Sequence, residues 1–430
     1  KEKINVIDND AQDTLQYDSF DTYIFNKTLS GKLSDEDYVT IIHPLLVGIV
    51  NTVNATSPAL LSIVNQAINK LFKEPKSIYL TDKVKNILFD GMEINCREND
   101  FASKAVCTQL KSQISDIKES TTQKNVLLYS LFGQRNATIV DTIKIMRGIK
   151  NYRDLGRVLE VNGKSDINLW GSEHCNRFKG TDGWIIPPLL KPEEGIRCYA
   201  TQLCRNIALD YVEDEIIKGF NVRRYEGNLG DQQLVEADKC YCPSPKRCLR
   251  KGVFDLSKCL GAPIIASLPH FLYADEIFLS QVRGLEPIKE NHVLAVTIDP
   301  ISSAPLSLRM RIQMNLEIGP NPKITVMNNL TDALHPIFWL EDSLDMEGPV
   351  LKKVSEIYVA IKVANVLKWF ALAIFFVFFA FGIYLHFKNR KSAKITPVQR
   401  RPASDKDAFH KRTNGGQNNI MSGHEFDRYN

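Results

Sequence analysis

The chain has 430 residues, of which 54 are basic and 50 acidic, and it carries nine cysteines. At 44% apolar it can bury a large core, which excludes wholesale disorder. Ten basic and four acidic side chains lie from Lys388 onward, leaving 44 basic and 46 acidic groups in residues 1–387, so a nucleic-acid-binding body, which should be clearly basic, is disfavoured.

The chain opens on Lys1 with no Met and no signal peptide, and a missing N-terminus is expected. Residues 43–90 are the clearest helical region. Residues 43–53 are an apolar run, broken by the sequon Asn54-Ala55-Thr56. Thr56 or Ser57 is placed to cap the next helix, with Pro58 in its first turn. Leu60/Leu61, Val64, Ala67/Ile68 and Leu71/Phe72 recur at helical spacing. A third helix is expected over 81–89, stopped near Gly91. The apolar stripes are either ordinary core or an exposed binding tip.

Cys96 and Cys107 form an early pair; Cys175, Cys198, Cys204, Cys240, Cys242, Cys248 and Cys259 follow. The Cys240–Cys259 cluster reads as disulfides in an exported domain or as a zinc site, and spacing alone does not choose the pairing. From 126 to 327, β-prone runs alternate with turn residues: NVLLYSLF, ATIVDTIKIM, GRVLEVNGK, FNVRRYEGN, VLAVTID and LRMRIQMNLEI. Asn162-Gly163 is a hairpin signal. Such spacing indicates an antiparallel barrel or sandwich. There is no HExxH, GxSxG or GxGxxG after a strand, so no enzyme is indicated, and no metal or cofactor either. His270 reads as a packed or turn histidine.

Residues 347–368 are expected to lead as helix into 369–387, an uncharged run with Trp369 and Tyr384 near its ends. At ~1.5 Å per residue it reaches ~29 Å, the thickness of a hydrocarbon core. The alternative is a buried core helix. Lys388, Arg390, Lys391, Lys394, Arg400 and Arg401 crowd the C-terminal flank, which places it in the cytosol. All nine cysteines and all four sequons, at Asn26, Asn54, Asn136 and Asn329, precede the run. The expected organisation is an extracellular body over 1–358, a transmembrane helix with its lead-in over 359–387, and a basic, disordered cytosolic tail over 388–430.

Cys175-Asn-Arg-Phe-Lys-Gly180-Thr181-Asp182-Gly183 with Pro187-Pro188, the 253–259 and 268–275 strings, Ile298-Asp-Pro300 and Arg311-Ile-Gln313-Met-Asn315 resemble class B scavenger receptors. Ile94-Asn-Cys96 with Ala105-Val-Cys107, residues 131–139, Arg147-Gly-Ile-Lys-Asn151 and 336–341 are similar to their insect branch, the sensory neuron membrane proteins. The resemblance implies a mixed β/α membrane protein: a large antiparallel β-barrel-like ectodomain with an apical helical bundle, an internal lipid tunnel and two membrane spans, the first missing here. It implies disulfides Cys175–Cys240, Cys204–Cys259 and Cys242–Cys248, with Cys96–Cys107 a fourth. Cys198 has no counterpart and is expected to be free and buried or reactive. Ser302-Ser303 stands where relatives carry Thr-Gly.

The function implied is an olfactory receptor or co-receptor at the plasma membrane of sensory neurons or their support cells. It would capture lipid-derived odorants such as pheromones and deliver them through the tunnel toward the membrane and an odorant-receptor channel. Lys70, with Lys73 and Lys76 beside it, matches a family lysine at the ligand entrance, where it would attract a fatty-acid carboxylate; a solvated lysine on a polar helix face is the plain alternative. A general scavenger receptor for lipids, lipoproteins or cell debris is the rival reading, favoured by a cationic apex.

Overall fold

The computed structural model describes residues 1–114 and 116–392. The chain divides into two compact units, Lys1–Ile357 and a second that starts at Tyr358.

The first unit is built on antiparallel sheets. In the largest, Ile196–Ala200, Arg205–Ile217, Phe220–Gly227, Leu294–Ile298 and Pro305–Ile318 lie side by side. Pro305–Ile318 is long enough to take a second neighbour on the same side, Ile264–Ser267, which carries Val253–Asp255. Along its other side runs Ala333–Asp345. A four-stranded sheet orders Glu2–Asn9, Thr14–Asp21, Thr138–Met146 and Val158–Val161. Among the described residues neither strand order closes on itself, so these strands form open antiparallel sheets and not the closed barrel the resemblance implies. Asn162 and Gly163 both take positive φ, +52° and +74°, as a type I′ turn demands. They are flanked by the Val161–Lys164 bridge.

The helical block departs from expectation at the Asn54 sequon and over residues 81–89, and it decides between the two readings of the apolar stripe. Pro44–Thr56 runs straight through the Asn54 sequon, with Pro44 in its first turn and His43 as N-cap. Leu61–Leu71 follows and buries Leu61, Val64, Ala67, Ile68 and Leu71. This stripe is core, packed with Leu316, Ile324, Met327 and Ile337 from the sheet end, so the exposed-tip reading is corrected. The reason is a third helix, Phe101–Gln113, which covers it and is anchored by the Cys96–Cys107 disulfide. The helix expected over 81–89 is instead a strand, Tyr79–Lys83, paired with Tyr38–Ile42, followed by a helical turn at Asn86–Asp90. Tyr79 and Thr81 are β-prone, and the Thr40 and Thr81 hydroxyls meet at 2.7 Å across the pair.

The helix Gly348–Ser392 has 45 residues, and its Leu351–Arg390 portion is long and apolar enough to cross a membrane. The uncharged run 369–387 lies wholly within it. Phe375 and Phe378 are 60% and 69% exposed. Such an apolar surface requires a non-aqueous neighbour. The cytosolic-tail reading, from residue 393 on, falls outside the described residues.

Candidate functional site

A cavity of about 420 Å³ lies between the large sheet and the four-stranded sheet. Its wall is a parity pattern. Ile196, Cys198 and Ala200 on one strand, Ile207 and Leu209 on the next, Leu294 and Val296, then Leu308, Met310 and Ile312 all line it. Alternate strand residues share a face, and the ladder keeps these in step: Cys198 pairs with Ile207, Ile196 with Leu209, and Val296 with Leu308. Tyr17, Ser19 and Ile143 close it from the other sheet. The Thr201–Leu203 turn adds Gln202 and Leu203, and the Cys204–Cys259 disulfide fixes that turn to Ser257–Leu260.

Four of the charged groups at the cavity, Lys1, Lys3, Asp182 and Asp342, are paired. Lys3 Nζ lies 2.8 Å from an Asp182 carboxylate oxygen and 4.1 Å over the Tyr17 ring. Tyr17 donates its hydroxyl proton to the same carboxylate at 2.7 Å. Burial, with the Asp182 charge behind it, pushes the Tyr17 phenol well up, so it remains a donor. The other Asp182 oxygen accepts the Trp184 and Ile185 amides. Lys1 Nζ is 3.0 Å from Asp342. The Gly180-Thr181-Asp182-Gly183 string is explained here. Gly180 has φ +75°, and a Cβ would stand 1.9 Å from the Arg197 carbonyl oxygen, so only glycine lets the loop approach close enough to place Asp182.

Cys198 is the one cysteine outside the disulfides Cys96–Cys107, Cys175–Cys240, Cys204–Cys259 and Cys242–Cys248. Burial pushes its thiol up to about 12, so it is a wall residue and not a nucleophile at neutral pH. Cys240, Cys242, Cys248 and Cys259 are all spent in these bridges, which removes the zinc reading. Among the described residues no group of three metal-ligating side chains converges.

The three lysines do not line the cavity. Lys70 Nζ lies 3.1 Å from Asp100, and Lys73 Nζ 2.8 Å from Glu93. Lys76 is exposed, without an ion pair among the described residues. Lys83 and Lys85 share Glu36. Of the sequon asparagines, Asn26, Asn54 and Asn329 are exposed, and Asn136 is half-buried with its side-chain oxygen accepting the Tyr23 amide at 2.8 Å. Sequence reasoning missed the cavity residues. Their signal was present, since every second residue of VLAVTID and of LRMRIQMNLEI is a wall residue where those strands border the cavity.

Residues 1–386 match the CD36 family. The sensory neuron membrane protein 1 of Apis mellifera is 36% identical over 396 residues, which is 92% of this chain and 76% of that protein. The protein of the same name from Ostrinia furnacalis is 34% identical, over 93% of this chain and 77% of its own length. That from Antheraea polyphemus is 33% identical, over 90% and 74%.

Proposed function

The chain belongs to the CD36 family and is a membrane protein of scavenger-receptor type, and from that premise we propose that it is an olfactory receptor or co-receptor that captures lipid-derived odorants in its apolar cavity. The observation that carries this reading is the cavity wall, in which two pairs of adjoining strands of the large sheet present Ile, Leu, Val and Met to one space. Burial of each CH₂ group contributes ~0.8 kcal/mol, so a single alkyl chain is retained without catalysis. The lysines at the cavity end are already neutralised by Asp182 and Asp342. An uncharged ester, aldehyde or alcohol therefore fits better than an ionised acid, whose carboxylate would be desolvated with no free cation to meet it.

Delivery onward, through a tunnel toward the membrane and an odorant-receptor channel, belongs to this proposal. So does the topology: residues 1–358 outside, glycosylated at Asn26, Asn54, Asn136 and Asn329, a span within 359–387, and a cytosolic tail in a sensory neuron or support cell. Of these three lysines Lys76 is the one without an ion pair among the described residues and so the readier to draw an anion near, whereas Lys70 and Lys73 would first have to leave Asp100 and Glu93. Those pairings, with Glu36 shared by Lys83 and Lys85, also offset much of the cationic apex on which the rival reading, a general scavenger receptor for lipoproteins or debris, depends.

The test is binding of a fluorescent alkyl probe to the full chain in nanodiscs, with long-chain acetates, aldehydes and fatty acids as competitors. Val296→Phe, which fills the cavity, should weaken binding at least tenfold while leaving Tm within a few degrees. Unchanged affinity in that folded variant would overturn the assignment of the cavity.

A further inference from the structure

Pro305–Ile318 has a second face. While Leu308, Met310 and Ile312 line the cavity, Arg311, Gln313 and Asn315 point the other way and hold a polar layer against the back of the sheet. Asn315 and Gln313 are both buried and bonded to each other and to Ser267. Gln313 Oε1 accepts the backbone amide of His270 at 2.9 Å, fixing a segment in which His270, Phe271 and Tyr273 all take positive φ. Three such residues so close together are strained backbone, sustained by the contacts around them.

That segment sets the His270 ring face to face with His292, centroids 4.2 Å apart and planes 9° from parallel. Each ring is held through the same atom. His270 Nδ1 accepts the Glu286 amide at 2.9 Å, and His292 Nδ1 accepts the Ile288 amide at 2.9 Å. A backbone amide can only donate, so neither Nδ1 carries a proton and both rings are neutral. An imidazolium carries a proton on both nitrogens. Protonating either ring therefore turns an acceptor into a donor aimed at a donor, and protonating both stacks two cations.

The surrounding charges do not relieve this. From the sheet, Arg311 reaches the Glu290 and Val293 carbonyls and bonds Glu341; Trp339 meets His292 edge-on. Lys289 is paired to Glu226 at 3.0 Å. Glu286, Glu290, Tyr273 and Asp275, the last paired to Arg250, are the other titratable groups on the histidines' own segments. Burial first, then His270 and Arg311, hold the His292 imidazole below its ordinary range.

We propose that the stacked His270–His292 pair is an acid-released latch that clamps residues 286–292 to the back of the sheet at neutral pH and lets them go in a mildly acidic medium. The clamp is adjacent to the cavity wall. Arg311 bonds the Val293 carbonyl, and the next residue, Leu294, lines the cavity. Release of the segment loosens that strand and lowers affinity for the ligand. This last consequence rests on the ligand-cavity reading above, while the latch itself does not.

Hydrogen exchange of the full chain in nanodiscs, corrected for intrinsic rates, separates the two. Peptides covering 284–294 should lose at least tenfold in protection between pH 7.5 and 5.5. The His270→Asn/His292→Asn double variant should retain it, because asparagine offers an acceptor oxygen in place of Nδ1, tolerates positive φ at 270 and cannot be protonated. Protection unchanged in the wild type, or lost equally in the double variant, would overturn the latch. Deuterium exchange at the imidazole C2 positions in the wild type is an independent readout that needs no variant: the rings must protonate in step with the loss of protection, and protonation with the segment still protected overturns the proposal. If the latch releases but probe affinity at pH 5.5 is unaltered, the latch stands and its link to the cavity falls.

Discussion

Lys70 Nζ stands 3.1 Å from the carboxylate of Asp100, joining the last turn of Leu61–Leu71 to the residue that N-caps Phe101–Gln113. The Lys70 ammonium and the Ser103 groups hold the Asp100 carboxyl down to about 2, with the Ser103 hydrogen bonds the larger cause. A lysine committed in this way is a poor lure for a fatty acid. Lys70→Ala and Lys73→Ala, singly and together, should change long-chain fatty-acid affinity less than twofold in a titration at neutral pH. A tenfold loss would restore lysine capture at the apex.

His43 predicts an acid limb of stability at the other end of its helix. It is buried, its Nδ1 faces the Leu46 amide, and Phe72 packs edge-on at 4.6 Å. Burial lowers its imidazole to about 4. The unfolded chain takes up the proton first, near its ordinary value of about 6.5, so His43 favours the fold fully above that pH. The contribution declines as pH falls from about 6.5 toward 4, by roughly 2–3 kcal/mol. His43→Asn, which keeps a capping oxygen but cannot titrate, should flatten that part of a Tm-against-pH curve. An unaltered curve would assign the acid limb to other groups.

Ser303 occupies a left-handed turn position, φ +56°, and its hydroxyl is buried without a hydrogen-bond partner among the described residues. The turn is held by Asp299, whose carboxylate accepts from the amides of Ile301 and Ser302 and from the Ser302 hydroxyl. Ser303→Gly removes both costs, and glycine adopts this φ freely. It should stabilise the fold by roughly 1 kcal/mol, read as a small rise in Tm at unchanged ligand affinity.

Cys198 should be silent to a thiol reagent. With its thiol pushed up to about 12, the thiolate is a negligible fraction at neutral pH. Without reductant, the native chain should release far less than one equivalent of colour from a disulfide reagent over minutes, and one equivalent once denatured. Rapid native labelling would mean that the cavity opens in solution.

The sequence reading succeeded where a local rule was also the global one. The stripe Leu61, Val64, Ile68 and Leu71 is helical because it is buried, and the six β-prone runs between 126 and 318 contain strands. It failed where one face is solvated. Glu2–Asn9 and the far part of Arg205–Ile217, with Glu213, Asp214 and Glu215, carry too many charges to read as strand, yet their ladders form. Tyr79–Lys83 was misread because its partner lies some forty residues back. The cysteine pairing was legible through resemblance, since spacing left it open. The cavity was not legible, because Thr14–Asp21 and Leu294–Ile298, far apart in the chain, come to line one space only through tertiary packing. The paired state of Lys70 was hidden for the same reason: Asp100 is thirty residues away.

The two faces of Pro305–Ile318 set a limit on how this protein can vary. Substitution within either set is a local change of size or polarity. A one-residue insertion or deletion inside the strand would exchange the sets, sending Arg311 and Gln313 into the apolar space and Ile312 into the polar layer. The length of this segment should therefore be held fixed in descendants of the chain even where its residues drift, and gains and losses of residues should collect in the turns on either side.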